Sequence, residues 1–328
     1  MKKFAGAVLK ATGLAGLLAG VTLIAFIVIH LAPGGPTGAM SDFNPRMSTQ
    51  AVEKLRQVYG LDRPILWQYK QWVQKLAVLD FGRSFVDNRL VKDKIAEAAA
   101  VTLMINGLAL LIIFSAGIYL GVVSAERAGS RLDRFIEAVS LALFSTPSFW
   151  LALLLIFGLG VGWRVFPVTG LESLFAERLD PLRRFADLIW HLILPVTVAS
   201  AAGTAGVCRY MRSQMIEALN QPYIRTAVSK GLTRKEVLWR HALPNALLPV
   251  ITLFGLSIPS VLGGSVILET VFSIPGMGRL FFQAVFFRDY PVVMGILVIG
   301  AVLTLGGNLL ADCLCAVADP RIRQKGHL

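Results

Sequence analysis

The sequence predicts an all-α integral membrane protein with six transmembrane helices, and three observations carry that prediction. Of the 328 residues, 55% are hydrophobic and 16% are charged, against about a quarter charged in an ordinary soluble domain. The mean hydropathy is +0.65. Six runs longer than twenty residues contain no Asp, Glu, Lys or Arg: 11–41, 98–125, 138–163, 188–208, 241–268 and 291–311. A helix of about 20 mostly apolar residues crosses the hydrocarbon core, and it satisfies its own backbone hydrogen bonds there. The same composition excludes intrinsic disorder, and three cysteines exclude a disulfide scaffold. The net charge of +12 would suit nucleic acid or a membrane surface. Because the cations are divided among loops between apolar runs, a nucleic-acid partner is rejected in favour of the lipid bilayer.

The elements follow in order within one membrane domain, 1–328. The first span, 11–32, follows Lys2, Lys3 and Lys10. It is too long for a signal-peptide core and is read as a retained helix. An outer loop, 42–97, comes next. Within it Ile65, Tyr69, Trp72, Val73 and Leu76 recur at helical spacing after Asp62 and Pro64. That pattern predicts an amphipathic helix, either lying at the outer interface or packed against the bundle. Charges in this loop at Arg46, Lys54, Arg56 and Arg63 are candidates for docking an extracytoplasmic protein. The remaining spans are predicted at 98–123, 138–161, 188–208, 245–268 and 291–316. Gly117, Gly121, Gly203, Pro147, Pro195, Pro249 and Pro259 lie inside them, where small residues permit close helix approach and Pro kinks are tolerated. With both termini inside, Lys and Arg number sixteen on each side. The inner segments are shorter and hold fewer acids, so the inside is denser in positive charge, which favours this orientation.

The cytoplasmic loop 209–244 carries most of the chemical information. Loops of this length without structure are uncommon. Pro222 can open a short helix running to Ser229 or Lys230. Gly231 supplies the positive φ that a residue with a Cβ adopts poorly. Thr233 can cap the next helix, with Glu236 closing a capping box. The predicted result is a helix–Gly turn–helix hairpin projecting into the cytoplasm.

Within that hairpin the chain reads Arg225-Thr226-Ala227, three residues, Gly231, nine residues, His241, one residue, Leu243-Pro244. This resembles the cytoplasmic motif of ATP-binding-cassette importer permeases: Glu-Ala-Ala, three residues, Gly, nine residues, Ile, one residue, Leu-Pro. Arg225, Thr226 and His241 depart from the general pattern. Those departures, with Asp80-Phe-Gly-Arg-Ser-Phe85, Pro147-Ser-Phe-Trp150, Phe272-Ser-Ile-Pro-Gly-Met-Gly278, Arg288-Asp-Tyr-Pro-Val292 and Asp319-Pro-Arg-Ile-Arg323, resemble the dipeptide/oligopeptide/nickel branch. Pro33-Gly-Gly-Pro36 departs from that branch, which usually has an Asp before the second Pro.

The resemblance implies the permease fold of the type I importers, in a bacterial or archaeal cytoplasmic membrane. It assigns ATPase coupling to Pro222, Tyr223, Arg225, Thr226, Ala227, Lys230, Gly231, His241, Leu243 and Pro244. The helix ahead of Gly231 would sit in a groove on an ATPase, with the small Ala227 allowing close approach. Implied partners are a second, similar permease, two ATPases and a substrate-binding protein. No cofactor is expected in this chain; ATP and Mg would be bound by the ATPases, since Gly-x-x-x-x-Gly-Lys-Ser/Thr is absent from the sequence. The implied cargo is a short peptide, with nickel or a metal chelate as the alternative. An ATP-independent transporter or channel is the less favoured class.

Other polar residues have structural readings. His30, His191, His241 and His327 form no His-x₃-His pattern. His30 and His191 read as interfacial hydrogen-bonding residues. Cys313 and Cys315 read as reduced packing residues, and Asp312, near Asn308, as solvated or paired with Arg. Glu137 and Glu269 sit at span edges. No catalytic constellation such as His-Glu-x-x-His or Gly-x-Ser-x-Gly is present in the sequence, so the chain is not expected to be an enzyme.

Overall fold

The computed structural model describes residues 62–318 and, before them, 16, 19, 20, 22–24, 26 and 27; for Ala77, Leu262 and 312–318 it describes the backbone alone. Regular structure among these residues is helical, with one isolated bridge between Arg83 and Leu90.

The helix labelled α1 (Ile65–Ala77) starts after Pro64. Then come α2 (Val91–Glu126), α3 (Arg131–Ser145) and α4 (Ser148–Leu155), which continues as a π-helical stretch over Ile156–Gly162. The long α5 (Pro181–Leu219) is followed by the short α6 (Pro222–Ser229). A continuous helical run, α7 (Arg234–Val261), contains a π segment at Val237–Ala242. The described residues close with α8 (Val266–Val271), α9 (Met277–Phe286) and α10 (Tyr290–Ala318).

By length and composition α2, α5, α7 and α10 can cross a membrane, and α3 with the α4 stretch makes a fifth candidate. Most of the first span lies outside the described residues, although Ala19, Thr22 and Phe26 within it are helical. The described helices differ from the charge-free runs at four places. The span predicted as 138–161 is two helices bent by 105°. Pro147 explains the break: it disfavours helical backbone in the preceding residue, and Thr146 is extended at φ −82, ψ 124. The span predicted as 245–268 begins at Arg234 and ends at Val261, because Gly263 and Gly264 follow, the latter at φ +63, before α8 starts afresh. Helices also outrun the apolar runs: α2 starts at Val91, inside the predicted loop 42–97, and α5 extends to Leu219, inside the predicted loop 209–244. Charge-free sequence marks hydrocarbon, whereas Lys, Arg and Glu remain good helix formers in water.

The chain divides into two compact units. One unit comprises Met1–Val101 with Pro275–Leu305. Here the aromatic pattern on α1 is packing: Tyr69 meets Phe26 edge-on at 5.3 Å and Trp72 lies 6.3 Å from the same ring. The Tyr69 hydroxyl is 3.1 Å from the Thr22 hydroxyl. Ile65, Leu66 and Val73 remain exposed. The core of this unit adds Val91, Ile95, Ala284, Val292 and Met294.

The other unit comprises Thr102–Ile274 with Gly306–Leu328. Within it α2 passes close to α5. A Cβ on Gly121 would lie 2.6 Å from the Cys208 carbonyl oxygen, and one on Gly117 would lie 2.8 Å from the Val207 side chain. The Gly117-x-x-x-Gly121 spacing puts both on one face, so the backbones approach as small-residue membrane contacts do.

Candidate functional site

The hairpin is built by local chemistry at each turn. Gln221 is extended at φ −73, ψ 151, as the residue before a proline prefers, and Pro222 begins α6. The helix ends where Gly231, at φ +79, donates its N–H to the Val228 carbonyl at 2.9 Å. Thr233 then caps α7: its hydroxyl accepts from the Glu236 N–H, and the Glu236 carboxylate accepts the Thr233 N–H at 2.9 Å. Pro244 has no N–H to donate to the carbonyl four residues back. The preceding turns widen into the π segment that holds Arg240 and His241. The Asn245 amide donates to the His241 carbonyl at 2.9 Å.

Packing decides which face of α6 is free. Ile224 and Ala227, three residues apart, are buried against the chain itself. They join Val122 and Ala125 of α2, Met211, Met215 and Ala218 of α5, and Val237, Leu238 and Ala242 of α7 in one core. Leu243 packs on its edge. The close approach permitted by Ala227 is therefore to its own bundle, not to a partner's groove as the sequence suggested. Pro222, Tyr223, Arg225, Thr226, Val228 and Lys230 face outward. The outward face is basic and carries the side chains of Tyr223 and Val228 beside Pro222. Arg234 steadies the hairpin by donating to the Glu126 carbonyl at 2.5 Å, at the negative end of α2.

The chain belongs to a family of membrane transport components: residues 117–324 match the family described as "Binding-protein-dependent transport system inner membrane component". This is an inner-membrane transport subunit. The permease is 43% identical over 311 residues to the "Oligopeptide transport system permease protein AppB" of Bacillus subtilis (strain 168), covering 93% of this chain and 95% of the relative. It is 36% identical over 322 residues to the "Di/tripeptide transport system permease protein DppB" of Pseudomonas aeruginosa (strain UCBPP-PA14), covering 93% of this chain and 95% of the relative. Among solved structures, the "Crystal structure of an amino acid ABC transporter with histidines" covers 68% of this chain and 94% of its own, at TM-score 0.50 and 17% identity. That likeness establishes the fold.

Two polar clusters in the permease were missed from sequence. In the unit that carries the hairpin, Asp133 is buried and its carboxylate takes both Arg212 Nε and Nη2 at 2.7 Å. It also accepts the Ser124 hydroxyl, and the Gly129 N–H at 2.8 Å. The signal for it in the sequence was Ser130-x-x-Asp133, a helix-start pattern in which Ser130 caps α3. In the other unit, buried Asp289 accepts the Ser84 hydroxyl at 2.5 Å and the Phe85 N–H at 2.9 Å. The motif segments 80–85 and 288–292 are thereby clasped together. Lys94 adds a bond to Ser84 at 3.2 Å and one to Asp87 at 2.7 Å. Burial opposes the Asp87 charge, but Lys94, Ser84 and the Arg89 N–H prevail and hold its carboxyl down to about 2.

The residues set aside from sequence have ordinary partners. His191 is buried and its Nδ1–H donates to the Asp187 carbonyl at 2.8 Å. Glu269 is buried and accepts from Thr102 at 3.0 Å. Glu137 lies 3.3 Å from Arg212. Of the four docking candidates, Arg63 is among the described residues and stands 5.7 Å from the centre of the Trp67 ring. His30, His327, Arg46, Lys54, Arg56, and the motif segments 33–36 and 319–323, lie outside the described residues, as do the side chains of Asp312, Cys313 and Cys315.

Proposed function

We propose that this permease forms the pathway for ATP-driven import of short peptides, alongside a second, similar permease, two ATPases and an extracytoplasmic binding protein. Peptide cargo is supported by the relatives named for oligopeptides and di/tripeptides, each matched over nearly the whole chain. The nickel alternative is not favoured by those names. ATP and Mg would reside on the partner ATPases, and both termini would be cytoplasmic.

The observation that carries the coupling role is the exposed face of α6 on a firmly packed base. Tyr223, Arg225, Thr226, Val228 and Lys230 are free to meet an ATPase, while Ile224 and Ala227 root the helix in the bundle. His241, Leu243 and Pro244 act one layer behind, shaping α7 under α6. A helix rooted in this way moves with the bundle as a rigid body and can transmit ATP-driven closure of the ATPases. The test replaces Tyr223 or Val228 with Asp and measures co-purification of the ATPases from membranes. Loss of the ATPases with normal permease levels is expected; full retention in both variants refutes the docking face. Thermal shift of the binding protein with a di- to pentapeptide mixture against chelated nickel checks the cargo.

A further inference from the structure

The inner end of α5 is gripped on two adjacent faces. On one, Met211 and Met215, both fully buried, carry Ile224 and Ala227 of α6. On the next, Arg212 reaches α3 and closes a bidentate pair on Asp133 at 2.7 Å for each contact. Asp133 is 1% exposed. Each of its carboxylate oxygens has a second donor: the Ser124 hydroxyl of α2 on one and the Gly129 N–H of the α2–α3 turn on the other. Three elements therefore converge on one buried charge. Beyond it α3 runs to Ser145, where the chain bends by 105° into the α4 stretch.

We propose that the Arg212–Asp133 pair is the joint that makes α6, the inner end of α5 and α3 move as one body during the transport cycle, so that displacement of α6 reaches the bent α3–α4 arm; the inference rests on the coupling reading of α6. The physical grounds are the geometry and the burial. A bidentate guanidinium–carboxylate contact fixes direction as well as distance. Removing one partner leaves an uncompensated buried charge, so the joint does not slide open. Apolar contacts between helices can shear by small steps, but sliding this contact by a step would unpair the buried carboxylate. Glu137, 46% exposed and 3.3 Å from Arg212, is a solvated contact of little weight and serves as the control. Asp133 and Arg212 are positioning residues: neither is placed against cargo or nucleotide.

The test uses the complete transporter reconstituted with its ATPases. Spin labels go on cysteines introduced at Ser229, next to the α6 face, and Ala138, on the exposed side of α3, with the native cysteines replaced by alanine. The distance is read without nucleotide and with the ATPases trapped by ATP and vanadate. One narrow distance, unchanged by trapping, is expected with Arg212 and Asp133 intact. With Arg212→Lys, which keeps the charge and loses the fork, the distance should shift or broaden on trapping while the ATPases still co-purify. Glu137→Gln should behave as the parent. The double variant Asp133→Leu with Arg212→Met removes both charges and preserves packing. It should show the same shift, and it decides the matter if Arg212→Lys is not recovered from membranes. A parent distance that itself changes on trapping, or a double variant that keeps the parent distance in both states, overturns the joint. Failure of the coupling reading is recognised separately, by retained ATPases in the Tyr223→Asp and Val228→Asp variants.

Discussion

At Asp87 the carboxylate lies between the Lys94 ammonium, the Ser84 hydroxyl and the Arg89 N–H, and its pKa is lowered from 3.8 to about 2. A carboxyl lowered in the folded state stabilises it above the unfolded pKa and loses that contribution as pH falls through the folded value. Melting of the purified permease should therefore separate wild type from Asp87→Asn above about pH 4, with the gap closing as pH approaches the folded value of about 2. A gap that stays constant down to that pH contradicts the assignment. Gly231 and Ala227 make a second residue-scale contrast. Gly231 has φ +79, and nothing stands within 4 Å of the place a Cβ would take, so Gly231→Ala should cost roughly 1 kcal/mol from backbone strain alone. Ala227 is 5% exposed within the chain's own core. Ala227→Asp should cost several kcal/mol by burying a charge without a partner, and the loss should appear in the permease melted alone, without ATPases. An Ala227→Asp permease that melts normally by itself would return Ala227 to a partner's groove.

Among the elements, the α2–α5 crossing has little tolerance. Gly121→Ala drives a Cβ to 2.6 Å from the Cys208 carbonyl oxygen, which is backbone and cannot swing aside. Overpacking of this kind costs about 1–3 kcal/mol. Gly107 lies on the same helix with nothing within 4 Å of its Cβ direction. There the same substitution should be neutral or stabilising, by up to about 1 kcal/mol. Thermal melts of the two variants in one detergent provide the comparison, and equal effects would remove the close-approach argument. The hairpin is the element most legible in the sequence. Pro222, Gly231, Thr233 and Glu236 act through bonds within a few residues of themselves, and each appears where the sequence puts it. The α3–α4 bend was less legible. Pro147 is visible in the sequence, but whether a proline kinks a membrane helix or breaks it by 105° depends on what the two arms pack against.

For the whole molecule, the alternation of apolar spans and charged segments makes a topological prediction. Reporter fusions after Glu172 and Asp180 should report the outside, and those after Lys230 and Lys325 the cytoplasm. A cytoplasmic signal from 172–180 would overturn the six-span arrangement. The segment around Glu172 and Asp180 is well anchored: Arg184 holds Glu172 through contacts of 3.0–3.3 Å, and Ser173 donates to Asp187. A fusion there inserts into an ordered surface segment, so the tag should follow Asp180 rather than replace the pair.

The sequence by itself determined that this chain spans a membrane, because the bilayer excludes charge over a fixed thickness and that exclusion is written in consecutive residues. It also determined the hairpin, whose turns are set by Pro, Gly and a capping box. Only the tertiary structure decided that Ala227 faces inward, because periodicity gives a helix a stripe without saying which neighbour covers it. Only the tertiary structure joined Asp133 to Arg212 across 79 residues, and Ser84 to Asp289 across 205. Those pairs lie at span edges, where a charge is as well read as solvated. What makes them a joint and a clasp is desolvation by other helices, and desolvation is a property of the packed chain alone.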